Sequence, residues 1–411
     1  MAVETSSFPV QDTALVRSLA VQVREFAESD EVALRRQRWR DVNERRHPDR
    51  SPVWCRPAGV WSEILPREEL ECREELCRRV EYTFRQHLYK KWVGDDHILE
   101  PWWGVPVVWR CSTEHIWGLP VHRSLGTTPY GGFKYDHPVK TMDDYDKITV
   151  PSFTPDWEET ERRAAQMSHL LGEAMPVRIV GSPPLSPQLS VYLEQLRGMV
   201  PMMEDMALRP ERIHRTMAKL TEGVFAAQRA AEQAEALTTN HHQPMFCSDP
   251  VHGGSESQPC RLHQMWTAAN SQEFEQVSPA MQEEFLLSYQ NLLFKQFGAV
   301  QYGCCENLTQ KIQIVLQVPN LRIFVVSFWT DLGKVIEACA KNVTIMWRQS
   351  AAQVTLPEDL SEHRKHLEKG LSLLKGHPYQ VVLRELETLQ DRPSRLRDWA
   401  RLAVEMAGKF A

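Results

Sequence analysis

The chain has 411 residues, enough for two average domains or for one (β/α)8 barrel with insertions. Its 48 basic and 54 acidic residues leave a net charge of −6, which excludes a nucleic-acid binder working through bulk positive charge. No apolar run reaches the roughly 18 residues of a membrane span, and the N-terminal MAVETSSFPVQD lacks the apolar segment of a signal peptide. Nine cysteines over so long a chain read as free thiols, so a soluble cytoplasmic protein with no membrane partner is expected.

Residues 12–46 read as a charged amphipathic helix or pair of helices, whose arginine run is a solvated face or a patch for an acidic partner. They give a helical extension over 1–48, with a barrel and its C-terminal helices over 49–411. Ser51 to Trp61 reads as a first strand and loop carrying Arg56, and Glu68–Lys91 as a helix with Cys72, Leu76, Val80 and Phe84 on one face. Asp95 to Trp103 enters a second strand end and offers Glu100 and Trp102. The tryptophans between Trp92 and Trp117 line a cavity or pack a core. Strand-like Val105–Trp109 is followed by a glycine-rich turn at Pro129-Tyr130-Gly131-Gly132. Trp157–Met175 is helical, Val177 to Pro184 is a strand with a glycine–proline loop, and helices follow over Leu185–Arg197 and Glu211–Leu237.

Residues 238–265 are irregular and hold His241, His242, Cys247, His252, Cys260 and His263 without a strong zinc spacing. They read as an ordered loop at the barrel mouth, or as a metal site. Trp266–Glu273 is the next strand end and brings Asn270, Gln272 and Glu273 to the mouth.

Residues 297–331 read as strand, loop, helix and strand: Phe297 to Tyr302, a helix over Asn307–Gln317, and Leu321–Phe328. Such a unit is parallel with a right-handed crossover, so both strand ends open on one side, where parallel α/β folds keep their chemistry. If strand geometry runs on past Tyr302, period two puts Tyr302, Cys304 and Glu306 towards the barrel axis and Cys305 away from it. Glu273 and Asp331, from neighbouring strand ends, would complete a three-ligand metal site on Cys304. The bland reading packs both cysteines behind the site and leaves Glu306 to cap a helix. Beyond this unit, Leu332–Lys341 is a helix and Asn342–Trp347 a strand. Helices over 358–375, 377–390 and 392–409 close the chain.

These motifs resemble the uroporphyrinogen decarboxylase superfamily, nearest to methyltransferase-like uncharacterised members with a Gly-Cys-Cys-Glu run. Cys304 lies where the zinc-dependent methyltransferases place a thiolate, and their His-x-Cys stands here as Tyr302-Gly303-Cys304. Pro52-Val53-Trp54 with Arg56, Ala58 and Gly59 resembles the first strand and loop of the decarboxylases, with Val60 in place of their second arginine. The resemblance, over roughly residues 50–355, implies a (β/α)8 TIM barrel and methyl transfer between a small methylated substrate and a thiol or corrinoid acceptor. It implies zinc, and a corrinoid carried by a partner protein. The alternatives are a decarboxylase of a carboxylated aromatic or pyrrole, Arg56 holding the carboxylate, and a non-catalytic ligand-binding barrel. Glu273, Glu306 and Glu100 are the expected catalytic residues. Arg56, Trp102, Asn270, Gln272, Tyr302 and Trp329 are the expected substrate-binding residues, and Cys304, Glu273 and Asp331 the metal ligands. A homodimer is the expected assembly.

Overall fold

A computed structural model describes residues 8–125, 133–256 and 259–411; the expected turn at 129–132 lies outside them. The fold is mixed α/β around a parallel sheet. Eight strands pair in parallel ladders, six in one sheet and two in another, among the described residues: β1 (Val53–Cys55), β2 (Trp103–Pro106), β3 (Val177–Val180), β4 (Trp266–Ala269), β5 (Ala299–Tyr302), β6 (Leu321–Val326), β7 (Thr344–Gln349) and β8 (Tyr379–Leu383). Six form the central sheet in the order β1-β8-β7-β6-β5-β4, and β2 pairs with β3 separately. No backbone ladder joins the pair to the six among the described residues, so a closed barrel is not what the hydrogen bonds draw. Two antiparallel pairs decorate the connection from β2 to β3: Trp109–Cys111 with Phe153–Pro155, and His122–Leu125 with Phe133–Asp136.

The central strands are covered on both faces, which is why β7 and β8 are buried along their whole length. Val300, Tyr302, Phe324, Val326, Ile345, Trp347, Val381 and Leu383 share a core with the helices Ser361–Leu374 and Arg395–Lys409. The alternate residues Trp54, Ala299, Ile323, Val325, Met346 and Val382 share a second core with helices α1 (Val10–Ala27), α2 (Asp30–Asn43) and α3 (Glu75–Val93). Trp39 of α2 and Trp399 of the last helix have no exposed surface. At about 25 cal/mol per Å2 over roughly 200 Å2, each contributes about 5 kcal/mol of apolar burial before its entropy cost.

The last strand departs from the sequence expectation. Residues 377–390 read as helix, but Gly376 (φ +79) and Pro378 break the chain after Leu374, and Val381-Val382-Leu383 then runs on as β8. The helix expected over 307–317 shrinks to Ile312–Val315. Asn307 Oδ1 takes the Thr309 N–H at 3.0 Å and Thr330 Oγ1 takes the Leu308 N–H at 3.0 Å, so local side chains compete with the helical bonds.

Loop 238–265 lies at the N-terminal edge of the sheet, not at the mouth. Buried Asn43 donates to Met245 O and Cys247 O at 2.8 Å each and accepts from Gln380, near the start of β8, at 2.8 Å. A Cβ on Gly298, just before β5, would fall 2.0 Å from His263 O. Asp96 anchors α2 to the same region: it binds Arg38 at 3.0 Å and Arg50 at 2.6 Å and accepts the Val53 N–H at 2.8 Å.

Candidate functional site

The site forms where β5 ends. Tyr302 faces the outer core and is fully buried, and Gly303 then takes φ +105, a conformation that excludes a Cβ at low cost. A Cβ there would also press on Val325 O and Leu308 Cδ1, both at 3.1 Å. Strand alternation stops at this glycine, so Cys304 and Cys305 turn to the same side. Their sulfurs are 3.5 Å apart and both are half-buried.

Glu306 ties this turn down. It is 1 % exposed; Oε1 accepts from Ser271 N at 2.8 Å and Ser271 Oγ at 3.2 Å, and Oε2 accepts from Cys304 N at 2.9 Å. Its carbonyl accepts from Ser327 Oγ at 2.8 Å and Thr330 Oγ1 at 3.3 Å. One residue thus fastens the ends of β4, β5 and β6 together. Burial raises the proton affinity of its carboxyl group. Lys311 stands nearby and donates to the carbonyls of Phe274 at 2.6 Å and Glu275 at 3.0 Å; burial lowers its pKa to about 8.

The opposite wall comes from β7 and β8. Arg348 is 1 % exposed, and its Nη1 lies 3.5 Å from Cys304 Sγ, 3.8 Å from Cys305 Sγ and 3.1 Å from Glu385 Oε1. Its Nε is buried without a partner. Glu385 holds a left-handed φ of +58, a strain of about 1–3 kcal/mol for a non-glycine residue. Arg384 Nε stands 3.5 Å from Glu385. Burial, and then Arg348, lower its proton affinity, with Arg56 adding to the effect. The Cys304 thiol is pulled down to about 6, first by the hydrogen bond from Cys305 and then by the Arg348 charge, against the opposing effect of burial. Cys305 is pushed up by the same bond and stays a thiol. The guanidinium and the neighbouring thiol together favour the thiolate form at Cys304.

Arg56 follows β1, is exposed, and is brought beside β8 by its N–H bond to Leu383 O at 2.9 Å. Glu273, Asn270 and Gln272 lie on the turn after β4; Glu273 Oε2 is buried without a partner, and Asn270 Oδ1 takes the Gln272 N–H at 3.3 Å. Trp329, 63 % exposed, packs on Phe328 at 4.5 Å beyond β6. Five expectations change. Glu306 is a buried acceptor that positions the cysteines rather than an open acid or base. Tyr302 is sealed in the core, donating to Gln290 Oε1 at 3.3 Å, and cannot touch a substrate. Asp331 is exposed and caps the helix Leu332–Ala338 through Lys334 N at 3.1 Å. Glu100 precedes β2, at the other edge, and pairs with Arg36 at 2.6 Å; its neighbour Trp102 lies under Arg178 at 5.1 Å. Cys305 joins Cys304 instead of pointing away. Sequence reasoning missed Arg348, Arg384 and Glu385. The legible signal was the β-branched run Val381-Val382 after Gly376 and Pro378, which marks a strand end immediately before Arg384 and Glu385.

The expected zinc set of Cys304, Glu273 and Asp331 is not assembled. Among the described residues, the one group of three or more ligand atoms within 4.8 Å of one another is Cys304, Cys305 and Glu385. Arg348 Nη1 faces all three at 3.1–3.8 Å. These donors already hold a cation, and they do not fit zinc while it stays.

No protein-family model and no curated protein sequence matches this chain. Among solved structures, a methyltransferase from Methanosarcina mazei is similar, with a TM-score of 0.54 and 11 % sequence identity over 92 % of this chain and 98 % of that one. At that identity the likeness is one of fold.

Proposed function

We propose that the chain is an alkyl-transfer enzyme in which the Cys304 thiolate is the reacting group. The observation that carries this reading is the half-buried Cys304 sulfur, 3.5 Å from both Cys305 Sγ and Arg348 Nη1, at the C-terminal edge of a methyltransferase-like sheet. A thiol with a pKa of about 6 is mostly thiolate at neutral pH, and it is also a good leaving group.

In the first step a sulfur lone pair forms a bond to the methyl carbon of a small methylated substrate. The bond from that carbon to its former partner breaks, and the partner keeps the electron pair. In the second step a thiolate acceptor, or a reduced corrinoid carried by a partner protein, takes the methyl group by the same displacement. Cys304 then leaves as a thiolate, stabilised by the Cys305 S–H and Arg348. The reading takes the eight parallel strands as a closed (β/α)8 barrel of the uroporphyrinogen decarboxylase kind. It is tested by intact-mass and peptide analysis after exposure to methylated amines, methylated thiols and methylcobalamin. The expected result is one methyl group on Cys304 with one donor class, lost on adding acceptor thiol and absent in Cys304→Ser.

A decarboxylase reading has one specific observation behind it. Arg348 and Arg384 flank Glu385, Arg56 adds its charge to that felt by Arg384, and Arg348 Nε has no partner, a setting that suits a carboxylated substrate. Carbon dioxide release that survives Cys304→Ser would put that reading ahead.

A further inference from the structure

We propose that Arg348 is the resident cation of the thiol site: it stands where a divalent metal would bind Cys304, Cys305 and Glu385, and the chain works without one. The inference rests on the reading that the site is built around Cys304, but not on methyl as the group transferred.

Four observations support it. Two sulfurs and a carboxylate oxygen within 4.8 Å of one another supply the three protein ligands of an open, catalytic metal site. Arg348 Nη1 nevertheless faces all three, at 3.5, 3.8 and 3.1 Å, so the negative charge they carry already has a counter-ion. Arg348 is also held inside the fold. It is 1 % exposed and extends from the inward face of β7 beside Met346. Arg384 adds further positive charge beside the same carboxylate, and Arg384 in turn feels the charge of Arg56. A divalent ion bound about 2.0–2.3 Å from these donors would lie against an arginine that cannot lose its proton. The arrangement trades a Lewis acid for a fixed charge beside Cys304 Sγ and leaves no coordination position for a substrate atom.

The test is zinc and cadmium binding to the full chain, followed by metal analysis after gel filtration and by the cadmium–thiolate absorbance band. Wild-type protein is expected to retain no stoichiometric metal. Arg348→Ala is expected to bind one ion per chain, about a hundredfold or more tighter than wild type, because the like charge is gone. Arg348→Lys, which restores a cation, should fall back towards wild type, a rescue that lost packing alone would not produce. Adding Cys304→Ser to Arg348→Ala should abolish the new binding. The inference is overturned if the wild-type protein carries one zinc per chain that Cys304→Ser removes. It is also overturned if folded Arg348→Ala binds metal no better than wild type. The wild-type measurement needs no variant, so poor folding of Arg348→Ala leaves the inference open to refutation. Neither readout depends on turnover, so the methyl-transfer reading can fail while this one holds.

Discussion

Replacing Glu306 by glutamine removes one charge and leaves the side-chain shape intact. The carboxylate accepts three hydrogen bonds, two from Ser271 on Oε1 and one from Cys304 N on Oε2. A glutamine keeps a single acceptor oxygen. It will place that oxygen towards the two Ser271 donors, so its NH2 meets the Cys304 N–H donor to donor. A hydrogen bond to a charged group contributes about 1.5–3 kcal/mol, and a buried donor left without a partner costs about 1–3 kcal/mol. At 1 % exposure water cannot step in, and the combined loss should be about 2.5–6 kcal/mol. The loss falls on the turn that presents the thiols, so Cys304 should lose its register with Cys305 and Arg348. Urea unfolding would report the stability change, and the iodoacetamide rate at Cys304, followed by peptide mass, would report the geometry. Asp331→Ala is the comparator: it removes a helix cap worth about 1 kcal/mol and should leave the thiol rate alone. Unchanged unfolding and an unchanged Cys304 rate in Glu306→Gln would refute the account of how this turn is held.

Two further outcomes follow from the same turn. Cys305→Ala removes the S–H that is the first cause of the depressed Cys304 pKa, so the midpoint of the Cys304 alkylation profile should move upward from about 6; a midpoint that stays put would assign the depression to Arg348 alone. Gly303→Ala introduces a Cβ at φ +105, 3.1 Å from Val325 O, and should cost about 2–4 kcal/mol in denaturant unfolding; a near-neutral result would mean that the backbone there can relax.

The parallel α/β plan was legible because its evidence is periodic. Short apolar runs such as Leu321–Val326 alternate with amphipathic helices, and each pattern selects its own element. Distances across the sheet are not periodic in sequence. Cys304 and Arg348 are 44 residues apart, and nothing local in Trp347-Arg348-Gln349 announces that the arginine points inward to a thiol. The error at Cys305 has a narrower cause. Period two was carried through Gly303, but a residue at φ +105 ends the pleat, and the rule with it. The error at 377–390 also had a readable remedy. Gly376 and Pro378 punctuate the chain, and two valines follow, a combination that favours strand over helix.

The two edges of the sheet handle charge differently, and that contrast separates scaffold from site. At the N-terminal edge most guanidiniums meet a carboxylate: Arg36 with Glu100 at 2.6 Å, Arg38 with Asp49 at 2.6 Å, Arg38 and Arg50 with Asp96 at 3.0 and 2.6 Å, and Arg322 with Glu44 at 3.1 Å, while Arg40 Nε is buried without a partner. Such pairs fix helices to strands. At the C-terminal edge, Arg348 and Arg384 share the single carboxylate of Glu385, at 3.1 and 3.5 Å. Arg56, which Arg384 senses, has no ion pair among the described residues. Keeping Arg348 and Arg384 beside one carboxylate without equal compensation costs stability. On the proposed reading, the Cys304 thiolate offsets part of that charge and an anionic group on the substrate would offset the rest.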